Sequence, residues 1–273
     1  MSNKILPVWN KDKINFENHD LPSSLRLIIS GKTGDGKTCL LFRLLLFNLD
    51  FNRLVFCSPS LVHQIEYRIF IEALKEGLSK DQIAAIFEFQ DKIEDPFEVI
   101  KEVAACNSNE NGNNSDDKIE VIVYNNPTDL RTPEVLKESG EQSKSDTKVV
   151  KTLVIIDDCL GKTKKEEVNA ISNYFIYSRP LGMNLIYLTQ SFFSKSMDKN
   201  TIRDQANVLI FFKTSKVNQS NIFKHLSSDD FETLDEFKDF TNTSWNSIKD
   251  NKGKSRGYIV YDRDTETFRA NCF

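Results

Sequence analysis

The chain has 273 residues, enough to bury a substantial core as one α/β domain, with 36 basic and 40 acidic side chains and a formal net charge of -4. That balance excludes a protein that holds nucleic acid in a global basic field, so any such contact belongs to a local patch or to the pore of a ring. Its five cysteines, Cys39, Cys57, Cys106, Cys159 and Cys272, are scattered singly, without the paired spacing of a zinc site or disulfide framework, which suits a reducing compartment.

Residues 1–20 are polar, with Pro7, Trp9 and Phe16 interspersed, and read as an N-terminal arm ahead of a single domain over residues 21–273. The opening stretch lacks the apolar core of a signal peptide. The longest apolar run, near Leu40, is broken by Arg43 and falls far short of a membrane span. A soluble, intracellular protein with no membrane partner is expected.

Leu25 to Ile29, polar only at Arg26, reads as a buried strand. It runs into Gly31-x-x-x-x-Gly36-Lys37-Thr38 and then into an apolar helical run. The Walker A pattern is informative in this strand-loop-helix setting, because the loop amides must converge on a phosphate at a helix start. Gly31, Gly34 and Gly36 are expected to allow backbone conformations that a side chain would forbid and to let N–H groups approach the phosphate oxygens closely. Lys37 would reach the β and γ phosphates, and the Thr38 hydroxyl would ligate magnesium. Asp35 and Cys39 complete the expected nucleotide-contacting stretch.

Arg53 to Cys57 is a second short strand, closing a βαβ unit. Residues 61–105 are helical by pattern. Ser79-x-x-Gln82 forms a capping-box signature, and Asp95-Pro96 sets a cap before a first-turn proline. Residues 107–118, rich in Asn and Ser, read as a solvated loop or insertion. Ile119 to Tyr124 is a further strand, and Thr132 to Glu138 a short helix.

Thr152 to Asp158, TLVIIDD, is a β-branched apolar run ending in two acids, as in a Walker B motif, and in an open α/β sheet that strand end is where ligands bind. Asp157 would hold the metal, and Asp158 would polarise the attacking water. After a helix over 164–177, Arg179 stands in a turn ahead of an apolar strand, Leu185 to Leu188, that ends in Thr189-Gln190. A polar amide at that strand end is suited to a place near the γ phosphate. The C-terminal part reads as helices over 217–226 and 229–240, then a hairpin of 257–261 with 267–270.

Three motifs in this order, GKTGDGKT, LVIIDD and RPLGMNLIYLTQ, resemble the FtsK/HerA superfamily of DNA-pumping ATPases. Within it they are most similar to the packaging ATPases of large double-stranded DNA viruses, virophages and Polinton-type elements. The similarity spans roughly residues 21–213. Asp158 stands where cellular members carry Glu, and Asn184 replaces a usual His.

The resemblance implies a RecA-like P-loop fold, a mostly parallel sheet flanked by helices, with the two Walker strands adjacent or nearby and an antiparallel C-terminal edge. It implies ATP and Mg2+ as cofactors, Gln190 as a sensor, and Arg179 as the finger that completes a neighbour's site in a homo-oligomeric ring, with Arg203 as the reserve. Its implied partners are double-stranded DNA, gripped without regard to sequence, and a capsid or portal-type protein at a site of virus assembly. Lys162, Lys164 and Lys165, and the group Lys249, Lys252, Lys254 and Arg256, are the candidate DNA contacts. Two other readings stand beside packaging. One is an ATP-dependent switch or assembly protein that moves no DNA, favoured by the acidic balance; the other is a small-molecule kinase.

Overall fold

The structure is a computed structural model that describes residues 21–22, 24–110, 119–142, 150–159, 165–194, 197–226 and 229–273. The expected N-terminal arm lies outside the described residues, as do 111–118, Lys162 and Lys164.

One sheet organises the chain. Its strands are β1 (Arg26–Ser30), β2 (Arg53–Cys57), β3 (Glu120–Tyr124), β4 (Thr152–Asp157), β5 (Asn184–Thr189), β6 (Val208–Phe212), β7 (Tyr258–Asp262) and β8 (Thr267–Ala270), in the spatial order β3-β2-β4-β5-β1-β6-β7-β8. The first six in that order run parallel, and β7 and β8 close one edge antiparallel. This is the expected RecA-like arrangement. The two Walker strands are not adjacent, because β5 lies between β1 and β4, with Ile186 opposite both Leu27 and Ile155.

Both faces of the sheet are covered, which is why its central strands are apolar without a break. Side-chain alternation sends Leu27 and Ile29 of β1 to one face, against helices α1 (Lys37–Arg43), α2 (Ile65–Lys75), α3 (Lys80–Phe89) and α4 (Pro96–Glu110). Ile28 faces the other way, into the layer of α5 (Pro133–Gln142), α6 (Lys165–Tyr177), α7 (Lys216–His225) and α8 (Leu234–Ser247). An aromatic cluster fixes the first layer: the Phe42 ring lies 5.7 Å from Tyr67 and 5.0 Å from Phe87, and Phe56 lies 4.7 Å from Tyr67. Tyr67 is therefore held by packing on two sides.

Several helix boundaries differ from expectation, among them the ends of α5 at Gln142, not Glu138, and of α8 at Ser247, not Phe240. Residues 107–110, assigned by composition to the polar loop, form the end of α4, where Asn107 exchanges amide hydrogen bonds with Gln82 at 3.0 and 3.2 Å. Helix α8 starts at Leu234, not Asp229, because Thr233 and Glu236 form a capping box there. The capping box at Ser79 and the Asp95 cap on the Phe97 amide, at 2.9 Å, form as expected. Among the described residues, no helix is long and apolar enough to cross a membrane.

Candidate active site

The glycine loop leaves the sheet in register with it, since the Gly31 amide still donates to the Thr189 carbonyl of β5 at 3.1 Å. Gly34 and Gly36 adopt φ of 76° and 115°, the left-handed region that side chains resist. Gly31 has a different reason to be glycine: a Cβ there would sit 2.8 Å from Phe212 Cβ. Its role is close approach, which corrects the expectation that all three glycines serve the backbone turn. Helical hydrogen bonding starts with the Leu40 amide on the Gly36 carbonyl, at 2.9 Å. The amides of Lys37, Thr38 and Cys39 stand ahead of that ladder, where helix geometry leaves donors for an anion. Lys37 Nζ donates to the carbonyls of Gly31 at 2.6 Å and Lys32 at 3.1 Å, and burial lowers its pKa against the opposing pull of Asp157, Asp35 and Asp158. Asp35 accepts from the Lys32 amide at 2.7 Å and closes the loop on itself.

The paired acids occupy different environments. Asp157 is buried at the end of β4, and desolvation raises its pKa to about 6, against the hydrogen bond it accepts from Tyr67 Oη at 2.8 Å. The same Tyr67 hydroxyl is hydrogen-bonded to Thr38, and its own pKa is raised well above the ordinary value, first by burial and then by Asp157. Thr38 and Asp157 thus share one hydroxyl partner. Magnesium takes one or two protein oxygens and completes its shell with phosphate and water, and this pair fits that demand. Asp158 is exposed, in a left-handed conformation with φ of 51° that aspartate tolerates. Gln190 Nε2 donates to both of its carboxylate oxygens, at 3.0 and 3.3 Å. A cavity of about 200 Å³ adjoins this pair on the β6 side, lined by Gly31, Lys32, Gln190, Ser191, Phe212 and Lys213.

Sequence reasoning missed Tyr67, which no motif marks and which an apolar helical stretch conceals. It also treated all the cysteines as isolated, whereas Cys57 and Cys159, at the ends of β2 and β4, lie with their sulfurs 3.9 Å apart.

The candidate arginines are elsewhere. Arg179 is exposed in the turn after α6, near the start of β5, where Asn184 Oδ1 accepts from the Leu25 amide at 2.9 Å. Its charge acts on Arg26 at the start of β1, lowering the Arg26 pKa after the larger effect of burial. Arg179 and Gln190 therefore flank opposite ends of β5, roughly 20 Å apart at about 3.3 Å per residue. Arg203 stacks over the rings of Phe192 and Phe193, at 5.7 and 5.6 Å. Of the C-terminal cations, Lys254 donates to the Gly34 carbonyl at 2.6 Å and pairs with Asp35 at 3.3 Å, while Arg256 donates to the same carbonyl. Two residues expected as DNA contacts therefore lie on the glycine loop.

No family model and no curated protein matches the chain. Among solved structures it is similar to the genome packaging NTPase B204 of Sulfolobus turreted icosahedral virus 2 in complex with ATP-gammaS, at 16% identity and a TM-score of 0.47, over 92% of this chain and 98% of that one. B204, the DNA-packaging ATPase from Sulfolobus turreted icosahedral virus, aligns at 17% identity and a TM-score of 0.48, over 91% and 97% of the two chains. VirB4 of Thermoanaerobacter pseudethanolicus aligns at 11% identity and a TM-score of 0.44, over 90% and 88%.

Proposed function

We propose that the chain is an ATPase that drives double-stranded DNA into a viral or virus-like capsid as a homo-oligomeric ring. The observation that carries the ATPase reading is the convergence of Lys37, Thr38, Asp157, Asp158 and Gln190 at the C-terminal ends of three neighbouring central strands, β4, β5 and β1. The packaging reading rests on the order and spacing of the three motifs that resemble the FtsK/HerA superfamily.

In this reading the loop amides and Lys37 hold the β and γ phosphates, and Thr38 with Asp157 presents two oxygens to Mg2+. The ion, when bound, neutralises charge on the phosphate oxygens. Gln190 fixes the rotamer of Asp158, whose exposed carboxylate accepts a proton from the water that attacks the γ phosphorus. Tyr67 keeps Asp157 oriented towards Thr38. Gln190 touches both the acid and the cavity beside the loop, so a change at the γ phosphate is passed to the segment after β5.

A second reading, an ATP-dependent switch or assembly protein, is favoured by one observation: Lys254 and Arg256 are engaged by the glycine loop, which leaves fewer uncommitted cations for DNA. Steady-state ATP hydrolysis with and without linear duplex DNA separates the two. The motor reading expects DNA to raise turnover by about tenfold or more, with the rate per chain growing with protein concentration. Hydrolysis indifferent to DNA overturns it and leaves the switch.

A further inference from the structure

The segment between α8 and β7 is a tight turn laid over the glycine loop. Lys249 and Ser255 pair across it, the Arg256 amide donates to the Ile248 carbonyl at 2.8 Å, and Gly253, with φ of 74°, turns its tip. Asp250 organises the interior, accepting from the Lys252 and Lys254 amides at 2.9 and 2.8 Å and from Arg256 Nε and an Arg256 terminal nitrogen at 3.0 and 2.8 Å. The turn thereby presents two cations in a fixed posture. Both reach Gly34, the glycine at the crest of the loop, and Lys254 also reaches Asp35. A Cβ on Gly36 would stand 3.9 Å from Arg256 Cδ, and the Arg256 charge acts on Cys39 in the first helical turn. Arg256 is therefore beside the loop at Gly34 and Gly36.

The Gly34 carbonyl is a neutral acceptor shared by two cations, each of which has one carboxylate beside it, Asp35 for Lys254 and Asp250 for Arg256. A phosphate oxygen offers charge-assisted bonds to the Lys254 ammonium and to the Arg256 nitrogen that Asp250 leaves free, each roughly twice as strong as a bond to a neutral acceptor. Resting on the ATPase reading above, we propose that Lys254 and Arg256 are polyphosphate-binding residues acting within their own chain. They leave the Gly34 carbonyl for the phosphate oxygens of a bound nucleoside di- or triphosphate, so that the turn over 248–256 closes on the nucleotide. Asp250 keeps the Arg256 fork aimed at the loop in both states. The chemical class recognised is the phosphate chain and not the base, because the contacts follow the glycine loop.

The test is calorimetric titration of ADP, ATP-gammaS and AMP in Mg2+ buffer into wild type, Lys37→Ala, Arg256→Ala, Arg256→Lys and the Lys254→Ala/Arg256→Ala double variant, each checked for folding by thermal melting. The double variant is expected to lose about tenfold or more in affinity for ADP and ATP-gammaS and at most about twofold for AMP, with Arg256→Lys in between. Di- and triphosphate affinity within about twofold of wild type in a folded double variant overturns the inference, as does an equal loss for all three nucleotides, which marks a structural role. If wild type binds none of the nucleotides, or Lys37→Ala binds as well as wild type, the ATPase reading falls first and takes this inference with it. Should Arg256→Ala fail to fold, Arg256→Lys combined with Lys254→Ala carries the same comparison.

Discussion

At the residue scale, the buried Asp157 is the costly part of the site, and its cost is readable in solution. Its folded pKa of about 6 exceeds the ordinary carboxylate value of 3.8 because burial disfavours the charged form. Between those two values the folded protein holds a proton that the unfolded chain has released. Stability therefore falls as pH rises from about 4 to about 6, and levels off above that window. Asp157→Asn removes the titration while keeping an acceptor for Tyr67 Oη. In metal-free buffer at pH 7.5 the variant should be more stable than wild type by about 1–3 kcal/mol, or several degrees in Tm, and should hydrolyse ATP at about a hundredth of the rate or less. The gap should shrink as pH is lowered to 4. Melts at pH 4, 5, 6 and 7.5 check it, and a gap that does not change with pH refutes the burial argument.

At the scale of elements, the turn over 248–256 depends on how α8 meets β7. A Cβ on Gly257 would lie 2.1 Å from the Ser244 carbonyl oxygen and 3.0 Å from the Trp245 backbone, while Trp245 Nε1 is anchored on the Phe211 carbonyl of β6 at 3.0 Å. Helix α8 cannot yield without breaking that anchor. Gly257→Ala should cost about 3 kcal/mol, read as a lowered urea midpoint, and should weaken ADP binding with it. A midpoint unchanged by the substitution would mean that α8 is free to shift. The same junction separates what the sequence displays from what it hides. β1, β4 and β5 are legible because burial on both faces makes apolar runs, and each leads into its polar group: Asp157 ends β4 with Asp158 next to it, Gln190 follows β5 directly, and the glycine loop after β1 leads to Lys37 and Thr38 at the start of α1. The insertion of β5 between the Walker strands is set by which crossover packs where, and no local pattern states it. Tyr67 belongs to an ordinary apolar helix stripe until Phe42 and Phe56 fix it beneath Asp157. Lys254 and Arg256 read as a solvated basic run because their partner, Gly34, lies 220 and 222 residues earlier.

At the scale of the molecule, the sheet itself decides who can use Arg179. The strands that carry the site run parallel, so their C-terminal ends collect the phosphate loop, the two acids and Gln190, while the turn holding Arg179 lies by the opposite end of β5. An arginine side chain extends about 7 Å, far less than the roughly 20 Å length of that strand, so Arg179 cannot touch a γ phosphate bound to its own chain. Arg203 is engaged over two aromatic rings. If Arg179 is a finger, its target is the next subunit, and the contact between subunits is head-to-tail, as ring closure requires. Arg179→Ala and Lys37→Ala should then each lose hydrolysis by a factor of about a thousand, since an arginine finger contributes that order in rate. Mixed in equal amounts they should recover activity, because about one interface in four joins an intact Lys37 to an intact neighbouring Arg179. Recovery should grow with total protein concentration and approach about a quarter of the wild-type rate. Absence of recovery at every mixing ratio, with both variants folded and co-assembling, would remove Arg179 from the site between subunits and return the search to the cations of the chain's own loop.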